Sequence, residues 1–167
     1  MKRSRSISKA HSPQVNDLLF LIEQSYNTKA WHGTNLRGSV RGLSASAAAW
    51  RPETGRHNIW EIVVHCAYWK YIVRRRILGE KKGSFPLNGS NWFQRPANLT
   101  EEDWKQDLAL LEVCHRSLLD AVAQLSPGEI PLKPKGSKVN NLAIITGIAS
   151  HDIYHAGQIQ LLKRLQH

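Results

Sequence analysis

A chain of 167 residues, 41% of them hydrophobic, predicts one domain with a sizeable core and is too short to expect two. The formal net charge of +10 raises the question of a nucleic-acid partner, but the cations are scattered, which argues against specific nucleic-acid recognition. Two cysteines, Cys66 and Cys114, argue against a disulfide-stapled scaffold; no apolar run approaches the roughly 20 residues of a membrane span, and Met1 to Ala10 hold no hydrophobic leader, so a cytoplasmic protein is expected.

Residues 1–11 are basic and serine-rich and read as a disordered arm ahead of one domain over 12–167. Ser12-Pro13 supplies an N-cap and a first-turn proline, and Val15, Leu18, Leu19, Ile22 and Tyr26 continue at helical spacing, predicting a first helix to about Thr28. The next thirty or so residues carry no strong period. Short helices are expected there around Asn35 to Val40 and Ser44 to Ala49, between breaking glycines and Pro52. Asn58 and Glu61 then form a capping box opening a second long helix that runs to about Leu78 and stops at Gly79. Arg74, Arg75 and Arg76 sit near its C-terminus, where the helix dipole favours cations.

Gly79 to Asn98 reads as a loop long enough to be functional, whose aromatics fold back over the bundle end. Thr100 with Asp103 caps a third helix with the stripe Trp104, Leu108, Leu111, His115, Leu118, Val122 and Leu125, ended by Ser126-Pro127-Gly128. A last helix follows an N-cap at Asn140 or Asn141 and runs to about Leu165. No strand signal exceeds four residues, so the fold class is all-α.

The last helix carries the chemistry. Its core stripe Ile144, Ile148, His151, His155, Ile159, Leu162 places two imidazoles four residues apart on one inward face. On the second helix, Ile62, His65, Trp69 and Ile72 put a third histidine on an apolar face. Inward-facing side chains from separate helices are how bundles build metal sites, and zinc, nickel, manganese and iron(II) all accept imidazole. His65, His151 and His155 are therefore expected to bind a divalent metal, with a position left open for water or substrate.

The runs His57-Asn58-Ile59-Trp60-Glu61-Ile62-Val63-Val64-His65 and Gly147-Ile148-Ala149-Ser150-His151-Asp152-Ile153-Tyr154-His155-Ala156-Gly157-Gln158-Ile159 resemble the DinB-like (YfiT-like) superfamily of metal-dependent enzymes. Ala30-Trp31-His32-Gly33 and the helix layout over residues 12–165 agree with it. The resemblance implies a four-helix bundle with long crossover connections, often a homodimer, and a metal on His65, His151 and His155. It also implies a small-molecule substrate and either hydrolysis or transfer assisted by a low-molecular-weight thiol. Sulfur and oxygen nucleophiles are both open on this reading, because one open metal position activates either.

Around the triad, Glu61 and Gln158 are candidates to orient a ligand's second ring nitrogen, although a capping role accounts for Glu61 on its own. His32 is a candidate pocket residue, and His115 a conceivable fourth ligand. Asp152, about 100° round the helix from His151, is expected on the polar face or at a dimer contact, and Tyr154 between helices. Cys66 and Cys114 read as buried small hydrophobes. Asp152 stands where a His-Glu-x-x-His motif has its glutamate, against a zincin-type protease. The alternative from another class is a non-enzymatic binding module with a basic surface, its metal closed off by His115 and merely stabilising the bundle.

Overall fold

Ser12 starts the first long helix, α1 (Pro13–Tyr26), its hydroxyl accepting from Val15 N at 3.3 Å. The computed structural model describes residues 11–81, 83, 85–96, 98 and 100–166, so the basic arm lies almost wholly outside the described residues. Helix α1 ends two residues short of Thr28 because Asn27, at φ −139°, leaves the helical region. Two short helices follow, α2 (Leu36–Ser39) and α3 (Ala45–Ala49), capped by Asn35 and Ser44. Then come α4 (Ile59–Ile77), α5 (Glu101–Ala123), a 3-10 turn at Pro127–Glu129, and α6 (Asn141–Leu165). The described residues form no strand, in line with the all-α class read from the sequence.

The capping boxes of Asn58/Glu61 and Thr100/Asp103 are both formed, and Asn140 caps α6. Helix α5 stops at Ala123, ahead of Pro127, which cannot follow an unbroken helix. The four long helices close a ring in which α1 packs on α5, α5 on α4, α4 on α6, and α6 on α1. Successive helices α1 and α4 are therefore diagonal to each other, as are α5 and α6. This explains the length of the segments 27–58 and 124–140, since each must cross an end of the bundle.

The core is divided along its length. One cluster gathers Leu36, Ile59, Trp60, Val63, Trp104 and Leu111, and the other Val15, Ile22, Leu118, Val122, Ile145 and Ile148. Three of the four long helices carry buried or partly buried ionisable residues where they pass from one cluster to the other: Lys70 between Ala67 and Val73 on α4, His115 between Leu111 and Leu118 on α5, and His151, Asp152 and His155 between Ile148 and Ile159 on α6. A polar layer in the middle of a bundle costs desolvation at every member and persists only where the members satisfy one another or a ligand.

The described residues between α4 and α5 fold back as their aromatics require. Phe85 and Phe93 meet each other at 5.2 Å and Tyr68 of α4 at 5.3 Å. This anchors the loop and leaves its next turn, Ser90 to Trp92, lying against the polar layer.

Candidate metal centre

Helix α4 delivers His65, and α6 delivers His151 and His155 one turn apart. The three side chains meet through their Nε2 atoms, with His65 3.0 Å and His155 3.1 Å from His151 Nε2. The outer nitrogens show what form two of the rings take. His65 Nδ1 faces the Asn91 carbonyl oxygen at 2.8 Å, which can only accept, so Nδ1 carries the proton and Nε2 presents a lone pair. His155 Nδ1 donates to Gln158 Oε1 at 2.7 Å, while Gln158 Nε2 donates to the Tyr154 hydroxyl at 3.0 Å, so His155 Nε2 presents a lone pair too. His151 Nε2 faces both, and a neutral ring has one proton at most, so it cannot satisfy both neighbours.

A cation resolves that conflict. Two nitrogens held at about 2.0–2.1 Å from one zinc ion lie roughly 2.9–3.4 Å apart, depending on the bond angle, and the observed spacings of 3.0 and 3.1 Å fall within that range. Burial lowers all three imidazole pKa values, His151 to about 3 and His155 to about 4, with His65 adding to both shifts by its charge. Near neutral pH the rings are uncharged, the form that binds metal. Among the described residues no fourth histidine, cysteine or carboxylate joins these three within ligand range.

Loop residues complete the surroundings. Asn91 adopts φ 63°, a left-handed conformation that asparagine tolerates better than most residues, and this turns its carbonyl onto His65. Its side-chain Oδ1 accepts from Trp69 Nε1 at 2.9 Å. The Trp92 ring stacks on His65 at 3.9 Å and, with its other face, on His57 at 3.7 Å. Two hollows flank the centre. A cleft of about 440 Å³ is lined by His57, Ile62, Trp92, Gln158, Leu161 and Leu162, and a smaller groove of about 190 Å³ reaches His151 between Trp69, Arg76 and Ile148.

A profile of the DinB superfamily matches residues 29–159, which include both histidine-bearing segments and most of the bundle. The chain belongs to the DinB superfamily. No curated protein and no solved structure matches it. Among the described residues, no helix of this DinB protein is long and apolar enough to cross a membrane.

The other candidates are distributed as follows. Gln158 reaches His155, whereas Glu61 does not touch the triad. Glu61 instead holds Arg51 through both oxygens, at 2.8 and 2.5 Å, together with His57 and its own N-cap. Burial pushes its carboxyl up, and the hydrogen bonds from Arg51 and His57 outweigh that and hold it below the usual range. His32 is exposed on the loop after α1 and makes none of the contacts around the triad. Cys66 and Cys114 are buried thiols with pKa values raised by burial, Cys114 to about 11.

Two expectations are corrected. Asp152 is not on a polar face: it is fully buried and paired with the equally buried Lys70. Because α6 packs on both α1 and α4, its buried surface includes a second stripe of Ile145, Ala149, Asp152 and Ala156, which joins the first at Ile159. Tyr154 is 62% exposed instead of packed between helices, and it serves as the far support of Gln158. Asn91, Trp92 and Lys70 were not singled out by the sequence reading. The loop aromatics and a lysine among buried positions of α4 were the available signals.

His115 is not a fourth ligand. Its ring stacks on Tyr26 at 3.7 Å, and neither nitrogen has a hydrogen-bond partner. Burial, with the Lys70 charge, holds its pKa down at about 2, against about 6.5 in an unfolded chain. A histidine depressed in this way contributes its full stability above pH 6.5 and loses it as pH falls towards 2, so at pH 5 it costs about 2 kcal/mol. His115→Leu should therefore lose about 2 kcal/mol less than the wild type between pH 7 and pH 5 in urea unfolding. An identical loss in both proteins would contradict this account of His115.

Proposed function

We propose that this DinB protein is a divalent-metal enzyme acting on a small electrophilic substrate, with His65, His151 and His155 as the protein ligands. The observation that carries the reading is three neutral imidazoles converging through Nε2 with no fourth protein ligand among the described residues. A structural site closes its coordination sphere, whereas a catalytic one leaves a position open. The rival binding module needed His115 to close the site, and that ring is engaged with Tyr26 instead.

A divalent cation held there favours the deprotonated form of a thiol or of water, and so supplies a nucleophile near neutral pH. The chain's own residues hold and shield. Asn91 and Gln158 fix two rings through Nδ1, which keeps both Nε2 lone pairs inward. The indole of Trp92 covers one face of His65 and limits water on that side. The largely apolar cleft beside it suits the organic part of a substrate, with Gln158, His57, Arg56 and Glu53 as its polar fixtures.

Between sulfur and oxygen, thiol-dependent transfer is the preferred reading, taken from the family resemblance, and hydrolysis is the second. A homodimer and a cytoplasmic setting belong to the same proposal, resting on the resemblance and on the two free thiols. The test incubates zinc- or manganese-loaded protein with cysteine and 1-chloro-2,4-dinitrobenzene, in which a C–S bond replaces C–Cl and the thiol proton goes to solvent. A parallel arm follows p-nitrophenyl acetate hydrolysis. The expected result is metal-dependent turnover in one arm, lost in His151→Ala. Rates in both arms no higher than those of the metal alone would overturn an enzymatic role.

A further inference from the structure

His65 and His155 each have an acceptor on Nδ1, but His151 Nδ1 is buried with no partner. Next to it in the chain, Asp152 has the opposite deficit. Its Oδ2 takes the Lys70 ammonium, while Oδ1 is buried without any donor. A ring nitrogen of His151, a carboxylate oxygen of Asp152 and Cys66 Sγ lie within 4.8 Å of one another. An unpaired buried acceptor costs about 1–3 kcal/mol, and so does an unpaired buried donor.

Resting on the metal-site reading, we propose that Asp152 is the positioning residue for His151, its Oδ1 accepting the Nδ1–H of that ring directly or through one buried water molecule. Lys70 is the other half of the device. It neutralises and pins the carboxylate from α4, the helix that also carries His65, so one ion pair ties the register of α4 to the orientation of the α6 ligand. The three ligands would then share one design, each with Nδ1 protonated and held and Nε2 free: by a loop carbonyl for His65, by an amide for His155 and by a carboxylate for His151. A second cation among Cys66, His151 and Asp152 is disfavoured, because Lys70 already supplies the positive charge and burial keeps the Cys66 thiol protonated.

Two double variants separate positioning from packing. K70M/D152L and K70M/D152N both remove the ion pair, but asparagine keeps a side-chain oxygen as acceptor and leucine does not. Zinc affinity is measured by competition with a chromophoric chelator, and metal-free stability by urea unfolding. The proposal expects K70M/D152L to be folded yet to bind zinc about 10- to 100-fold more weakly than the wild type, with K70M/D152N recovering most of that loss. Equal affinities in the two variants would overturn it. Should either variant fail to fold, ¹⁵N–¹H spectra of the imidazoles in zinc-loaded wild-type protein decide: a slowly exchanging, hydrogen-bonded proton on His151 Nδ1 supports the proposal, and a proton in fast exchange with water overturns it. Wild-type zinc binding that is lost in His151→Ala upholds the metal site whichever way these comparisons fall.

Discussion

Replacing Lys70 alone by methionine is expected to destabilise the fold by about 3–5 kcal/mol, the usual cost of removing one partner from a buried ion pair. Both side chains are 0% exposed, so water cannot take the place of the lost ammonium. Burial already raises the Asp152 pKa to about 6, against the lowering effect of the Lys70 charge and hydrogen bond. Without Lys70 the carboxyl would be forced to take up a proton or carry an unpaired charge in the core. The double replacement K70M/D152L should recover most of the loss, because an apolar pair of similar volume is often neutral or stabilising relative to a buried ion pair. Urea unfolding of the wild type, the single and the double variant measures both effects. A loss below about 1 kcal/mol for K70M would mean that the pair is more hydrated than its burial indicates.

Metal should act on stability as strongly. A ligand that binds only the folded chain stabilises it by about 4 kcal/mol at a thousandfold excess over its dissociation constant. The three histidines come from two helices, with His65 and His151 86 residues apart in sequence, so the unfolded chain cannot reproduce the site. Zinc added to metal-free protein at neutral pH is expected to raise the unfolding free energy by an amount of that order, and excess chelator to reverse it. His65→Ala, which takes away the only ligand from α4, should remove most of the gain. The same gain in that variant would show zinc binding elsewhere, for instance at exposed surface groups.

Much of this arrangement was legible in the chain because it is local. The caps at Ser12, Asn58, Thr100 and Asn140 are set by a few consecutive residues, and the structure forms each of them. The inward direction of His65, His151 and His155 follows from helical periodicity alone. Asp152 was misread because a single stripe was assumed for a helix that packs against two neighbours. The second stripe, Ile145, Ala149 and Ala156 with one aspartate inside it, was present in the sequence, and so was a lysine among buried residues of α4 that could pair with it. Asn91 and Trp92 were less accessible. Their contacts with His65 depend on where Phe85 and Phe93 anchor the loop against α4, which is a tertiary outcome that no local pattern encodes.

The central claim is that three histidines form one divalent-metal site, and metal stoichiometry tests it most directly. Wild-type protein and the His65→Ala, His151→Ala and His155→Ala variants, each shown to be folded by far-UV circular dichroism, would be titrated with zinc and analysed for bound metal after desalting. The account predicts about one ion per chain in the wild type and loss of most of it in every variant. Occupancy in His151→Ala equal to that of the wild type would contradict it, since that ring is the one whose Nε2 faces both of the others.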